Sequence, residues 1–270
     1  MICRNVMTSK YFMEHINENN RLTRKTNPDE VVYRYLQNHI HQFQCCFLDI
    51  GCGPCIIDKS ISKIFKNITI HCADISPDRV FQAKEKIRVS NIKYACADAN
   101  KLPYKNSCFD IVFARFLFEY MKKPEKVISE LIRVCRSGGK IILQDLDGQL
   151  LFHYPEYTSL NKRMKHVIDL LAEDYGFDPF VGRKLYHFCA KNGLIDIQVN
   201  VEPYHLIYGK ISNLELQNWQ HKLSILLPKM EKALGTSQQA IALKNDCLEY
   251  LKQEDTLLYS NLFSLIAIKP

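Results

Sequence analysis

No run in the 270 residues approaches the roughly 20 consecutive apolar residues that cross a bilayer. The opening MICRNVMTSK likewise has no apolar centre of the kind a secretion signal needs. Both absences predict a cytoplasmic protein with no membrane partner. A clustered Lys/Arg stripe is missing too. The net charge of +7 is spread along the chain, and the pI near 8.7 falls short of the value above about 9 typical of nucleic-acid modules. No nucleic-acid partner is expected, and Lys122, Lys123 and Lys126 read as a solvated helix face. Internal repeats, low-complexity tracts and separating linkers are absent. With 47% hydrophobic and 24% charged residues, the composition excludes a disordered chain.

The cysteines lack the even, paired spacing of a disulfide framework. There are eleven, scattered from Cys3 to Cys247, mostly inside apolar runs where a reduced thiol acts as a small hydrophobe. Cys52 and Cys55 form a C-x-x-C, but no second pair or His-x-His follows at metal spacing, so no metal ligand is assigned.

What is present is a regular alternation. Residues 1–27 form a polar arm with Tyr11, Phe12, Met13 and Ile16 as an apolar island. Asn27 and Pro28 make a cap and first turn for a helix over 28–41. Strands follow at 45–50, 68–74, 91–98, 109–115 and 140–147, separated by helices at 57–66, 77–88 and 124–136. Ser137-Gly138-Gly139 stops the last of these helices. Beyond 148 the alternation loosens, with helices at 156–174 and 182–193, a strand at 194–201, and two helical segments in 211–254, the first broken near Pro228 and Gly235. A final strand covers 257–270. Apolar strands alternating with helices predict an open α/β fold with a parallel sheet.

In such sheets ligands bind outside the carboxyl ends of the strands, and the informative polar residues fall there. LDIGCGPC (48–55) runs a strand into a turn, with Asp49 closing the strand and Gly51 and Gly53 letting the backbone approach a ligand. Asp74 follows Gly53 by 21 residues, near the spacing of about 20 at which an acid takes ribose hydroxyls. Asp98, Arg115, Asp145 and Asp147 end the next three strands. Ile56 stands where the third glycine of G-x-G-x-x-G belongs, which argues against a nicotinamide dehydrogenase.

LDIGCGPC, ADIS (73–76), ADANKLPYKNSCFDIVFARFLFEYM (97–121) and PEKVISELIRVCRSGGKIILQD (124–145) together resemble the class I S-adenosylmethionine-dependent methyltransferases, in particular the small-molecule, methyltransferase type 11/25-like members. The resemblance covers about 28–270. It implies a Rossmann-like fold: a seven-stranded, mostly parallel sheet with helices on both faces and helical lid insertions at about 148–181 and 202–255. It also implies S-adenosylmethionine as cofactor and S-adenosylhomocysteine as product. Asp74 would hold the ribose, Ile75 and Ala99 would flank the adenine, and Asp98 would meet its amino group. Arg21 or Arg24, in an arm over the cofactor site, would clamp the carboxylate. Asp49, Gly51, Gly53 and Arg115 complete the implied cofactor set. The chain departs from the family at Cys55, where a third glycine is usual.

Alignment of an activated methyl donor with an acceptor needs no dedicated nucleophile. Where a base is needed, Glu119, His153 and Tyr154 are the candidates, with His205 and Tyr208 also near the open end. GFDPFVGRKLYHFCAKNGL (176–194) resembles a segment of small-molecule methyltransferases, and Asn-Pro-Pro-Tyr is absent after the fourth strand. Both favour a small, partly apolar acceptor for O-, N- or C-methylation. Protein or peptide methylation and a non-catalytic cofactor-binding scaffold are the alternatives. A monomer or homodimer is expected.

Overall fold

The computed structural model describes residues 11–15, 18–40 and 44–270. Ile16 of the apolar island lies outside them. The arm carries α1 (Glu18–Lys25), and α2 (Pro28–Val31) continues into a π-helical turn over Val32–Leu36. Asn27 caps α2 by accepting from the Glu30 N–H at 3.3 Å. The core then runs β1 (Cys45–Ile50), α3 (Ile56–Ile64), β2 (Ile68–Asp74), α4 (Pro77–Lys86), β3 (Ile92–Cys96), β4 (Phe109–Arg115), α5 (Pro124–Val134) and β5 (Cys135–Asp147). After it come α6 (Thr158–Tyr175), α7 (Leu185–Lys191), β6 (Ile195–Tyr208), α8 (Asn213–Leu234), α9 (Ser237–Lys252) and β7 (Leu257–Ile268).

The seven strands form one sheet in the order β3-β2-β1-β4-β5-β7-β6. β1 to β5 pair in parallel, whereas β7 runs antiparallel to β5 and β6. The chain winds one way from β1 through β2 to β3 and the other way from β4 onward. The switch therefore falls between β1 and β4, where a crevice opens at the carboxyl ends. One face of the sheet buries Phe47, Ile70 and Phe113 against Val32, Leu36 and Ile61. The other buries Leu48, Val112 and Leu143 against Ile128 and Leu131 of α5 and Leu185 of α7. A third core lies in the lid, where Leu171, Leu223 and Leu243 join α6, α8 and α9 and take in Phe12 and Met13 of the arm.

Three expectations are corrected. Ser137-Gly138-Gly139 does not follow the helix as a stop. α5 ends at Val134, and these residues belong to β5, the Gly138 N–H donating to Lys269 O at 2.7 Å. α8 is continuous through Pro228: Leu223, Ile225, Leu226 and Met230 are buried in the lid core, and that burial outweighs the roughly 3 kcal/mol that an internal proline costs. Residues 202–208 continue β6, so the second excursion from the sheet begins after Tyr208.

Gly176 caps α6 at φ +75°, and a Cβ there would fall 2.3 Å from Lys122 Cγ and 2.9 Å from Lys122 Cα. Gly176→Ala is expected to lower the unfolding free energy by about 1–3 kcal/mol, from the left-handed conformation and the forced shift of Lys122. Urea unfolding monitored by circular dichroism measures it.

Candidate functional site

The crevice at the switch point opens into a cavity of about 470 Å³. One wall is the loop after β1. Gly51 at φ +74° and Gly53 at φ +53° take backbone conformations that side chains resist, and a Cβ on Gly51 would come within 3.2 Å of Leu117 Cδ1. The turn is fastened to the end of β2. The Gly51 N–H donates to Ala73 O at 2.7 Å, and the Gly53 N–H donates to Asp74 Oδ2 at 2.9 Å.

Asp74 is 4% exposed. Its other oxygen accepts from the Ser76 N–H at 2.9 Å and lies 3.7 Å from Arg79 Nη1. Ser76 in turn caps α4 through the Arg79 N–H. One carboxylate thus sets the loop, the strand end and the next helix while still lining the cavity. Asp98 accepts from the backbone and side-chain nitrogens of Asn100, both at 2.8 Å, which turns the chain after β3 and leaves Asp98, Ala99 and Ile75 on the cavity wall. Asp49 lines it too, and burial, with Cys52 beside it, pushes its carboxyl well above the usual range.

The arm lies across the opening, with Tyr11, Met13, Arg21, Leu22 and Lys25 among the lining residues. It is latched to α4: Glu14 pairs with Arg79, Asn19 donates to Gln82 at 2.7 Å, and the Arg79 guanidinium stacks over Tyr11 at 4.6 Å. Arg21 reaches the cavity but is held by Glu18 through Nε at 2.8 Å and Nη2 at 2.6 Å. Arg24 lines the opening as well.

On the far side, Arg115 donates to Gln144 Oε1 at 2.9 Å and lies over the Phe116 ring at 4.0 Å. Glu119 is 2% exposed, in the 3-10 turn Phe118–Tyr120. Its carboxylate accepts from Gln149, whose carbonyl accepts from Lys222 Nζ at 2.8 Å. Burial raises the Glu119 pKa, with Lys222 opposing the rise.

Every residue of the implied cofactor set, Arg21, Asp49, Gly51, Gly53, Asp74, Ile75, Asp98, Ala99 and Arg115, faces this cavity, as does Glu119. The other two base candidates do not. His153 is stacked on Tyr259 at 4.0 Å and accepts from its N–H. Tyr154 is 71% exposed and bridges to Leu257 through its backbone. The chain after β5 carries both away from the sheet's open end to pack beside β7. His205 lines the cavity whereas Tyr208 is exposed. Asp145 and Asp147 serve the fold. Asp145 accepts from the Phe118 and Glu119 N–H groups at 2.7 and 3.3 Å, and Asp147 holds Arg183 bidentately.

Three cysteine sulfurs lie within 4.8 Å of one another under the loop. Cys72 joins Cys52 and Cys55 because β2 sets it opposite Asp49 of β1, a proximity that spacing along the chain does not show. Burial pushes the Cys52 and Cys72 thiols well up, which works against metal binding as thiolates. Hydrogen bonds with those two lower Cys55. Cys55 itself stands at φ +54°, so the loop keeps the left-handed turn where a third glycine is usual. For a non-glycine residue this costs about 1–2 kcal/mol.

A sequence family described as a methyltransferase domain matches residues 48–143, the span that holds the loop, Asp74, Asp98 and Arg115. Residues 48–143 thus hold a methyltransferase domain. The chain is 24% identical over 142 residues to a malonyl-(acyl-carrier protein) O-methyltransferase of Herminiimonas arsenicoxydans, covering 53% of each chain. It is 33% identical over 103 residues to a sterol 4-C-methyltransferase of Caenorhabditis elegans, covering 37% of this chain and 30% of that one. Its fold matches the Haemonchus contortus phosphoethanolamine N-methyltransferase 2 in complex with S-adenosyl-L-methionine, at a TM-score of 0.62 and 18% identity, over 99% of this chain and 61% of that one. The chain spans about half or less of the lengths of these two curated relatives.

Several lining residues escaped the sequence reading: Lys25, Gln149, Tyr204, Trp219 and Lys222. The signal available was the helical spacing of Leu214, Glu215, Asn218, Trp219 and Lys222, which puts them on one face of α8. Burial, then the charge of Lys25, pulls the Lys222 pKa down from 10.5 to about 7. The folded state therefore binds this proton less well than the unfolded chain between those two values, and stability rises with pH across that window. Urea unfolding at pH 7.0, 8.5 and 9.5 is expected to show wild type gaining stability relative to Lys222→Met as pH rises.

Proposed function

We propose that this chain transfers a methyl group from S-adenosylmethionine to an O, N or C atom of a small, partly apolar acceptor bound in the same cavity. The observation that carries the reading is the convergence, at the switch point, of the two positive-φ glycines, Asp74, and the Asp98–Ala99 turn under one arm. The donor set fits the cofactor. Asp74 keeps free lone pairs toward the cavity for two ribose hydroxyls, Ile75 and Ala99 offer apolar surface to a purine, and a side chain on Gly51 would crowd Leu117.

The cofactor supplies a methyl group already activated on a sulfonium. The chain's part is to hold donor and acceptor in line and keep water out, an entropic advantage that can reach about 7–11 kcal/mol. The arm and the α8 face, with Trp219 and Leu214, enclose the space. Glu119 is the group that would accept an acceptor proton: its raised pKa brings the carboxyl nearer neutrality, where general bases are most effective, and Gln149 fixes its orientation. Enclosure by the arm favours a small acceptor over a protein side chain.

Calorimetry with S-adenosylhomocysteine tests the cofactor assignment. Asp74→Ala is expected to weaken binding about a hundredfold, since two charge-assisted hydrogen bonds are lost, while His153→Ala leaves it unchanged. An absence of binding to wild type at millimolar ligand would sink the assignment. Incubation with methyl-labelled cofactor and a cell extract, before and after removal of small molecules, separates a small acceptor from a protein one. Binding without any labelled product would indicate a scaffold. Glu119→Gln is expected to lower turnover with little change in cofactor affinity, read by the same label.

A further inference from the structure

The cavity is lined by acids, Asp49, Asp74 and Asp98 at the ends of β1 and β2 and just after β3, and by bases, among them Arg21, Lys25, Arg115 and Lys222. Arg21 is neutralised by Glu18. Lys25 and Lys222 have no carboxylate partner among the described residues. Lys25 Nζ lies over the rings of Phe116 at 4.9 Å and Tyr204 at 5.6 Å. Lys222 Nζ lies 5.2 Å from the Trp219 ring and donates to the neutral carbonyl of Gln149. A continuous aromatic platform joins them, with Tyr204 to His205 at 4.5 Å and His205 to Trp219 at 6.2 Å. Two ammonium groups thus stand at the two ends of one platform.

The acids nearby do not balance them. Glu119 is hydrogen-bonded to Gln149, which stands between it and Lys222. Glu215, near the start of α8, is held by its cap Ser212 at 3.2 Å. Burial, then the charges of Lys25, Lys222, Arg21 and Arg115, hold His205 neutral well below its usual range. Cation–π contacts return only about 0.5–2 kcal/mol each, and burial pulls both lysine pKa values down to about 7, so an anion seated between them would restore their charge.

We propose that the acceptor carries a carboxylate or phosphate, bound by Lys25 of the arm and Lys222 of α8, with its apolar part on the Tyr204–His205–Trp219 platform. This rests on the methyltransferase reading above and names the acceptor's chemical class. Because one lysine comes from the arm and the other from the lid, the anion also links the two elements that enclose the cavity.

The test uses the full chain saturated with S-adenosylhomocysteine and titrated calorimetrically with benzyl phosphate, phenylacetate, benzyl alcohol and benzylamine. Emission of Trp219, the single tryptophan, reports whether the ligand reaches the platform. Benzyl phosphate or phenylacetate is expected to bind saturably and change the emission, whereas the alcohol and the amine bind at least about tenfold more weakly. Lys25→Met and Lys222→Met should each weaken the anion about tenfold or more, and Lys222→Arg should restore it. Unchanged S-adenosylhomocysteine affinity in these variants shows that they fold. Three results would overturn the proposal: equal affinity for the neutral or cationic probe, no loss in either Met variant, or competition between the anion and S-adenosylhomocysteine, which would make the lysines the holders of the cofactor's own carboxylate. If S-adenosylhomocysteine does not bind wild type, the cofactor assignment falls, and titration of the free protein with the same probes still decides the anion site.

Discussion

The carboxylate of Asp74 is where the parts of this molecule meet. It accepts from Gly53 on the loop after β1 and from Ser76 at the start of α4, and lies near Arg79, which holds the arm through Glu14. Three segments distant in sequence, the arm, the loop after β1 and the junction of β2 with α4, are placed relative to one another by one nearly buried group. Charge-assisted bonds of this kind are short and directional, so the loop's strained turns, including the left-handed Cys55, are held by what surrounds them and not by their own preferences.

Much of the sheet was legible because its signals are local. β1, β2 and β4 begin and end where the sequence places them, since each is a short apolar run bounded by charge or glycine. β6 extends beyond the expected 201 to Tyr208. Most of its residues are exposed or half-buried at the sheet edge, so no alternation of burial marks its length. The Gly138–Gly139 pair misled because its role is set by a strand partner at the far end of the chain, Lys269. Pro228 misled because a break is a local expectation, and packing among three lid helices overrides it.

The site divides the same way. The acids and glycines at the strand ends could be read because topology alone sends them to one edge. Asp145 and Asp147 share that position but turn to backbone and arginine partners, a choice that depends on neighbours far along the chain. Lys25, Tyr204, Trp219 and Lys222 were harder to read, because they come from the arm, the far end of β6 and α8, and packing decides which face each presents to the cavity. His153 and Tyr154 follow β5 closely in sequence, yet the chain leaves the sheet's open end before it reaches them.

The latch between the arm and α4 has a kinetic consequence. Met13, Leu22 and Lys25 line a cavity that the sheet and α8 also bound, so the arm stands in the way of a ligand leaving on that side. Residence time then depends on how often the partly exposed Glu14 leaves the buried Arg79, an ion pair that salt weakens. Since Arg79 is shared between that pair and Asp74, release of the arm and loosening of the loop are coupled steps, and salt would speed the exit of whatever is bound more than it would weaken the contacts inside.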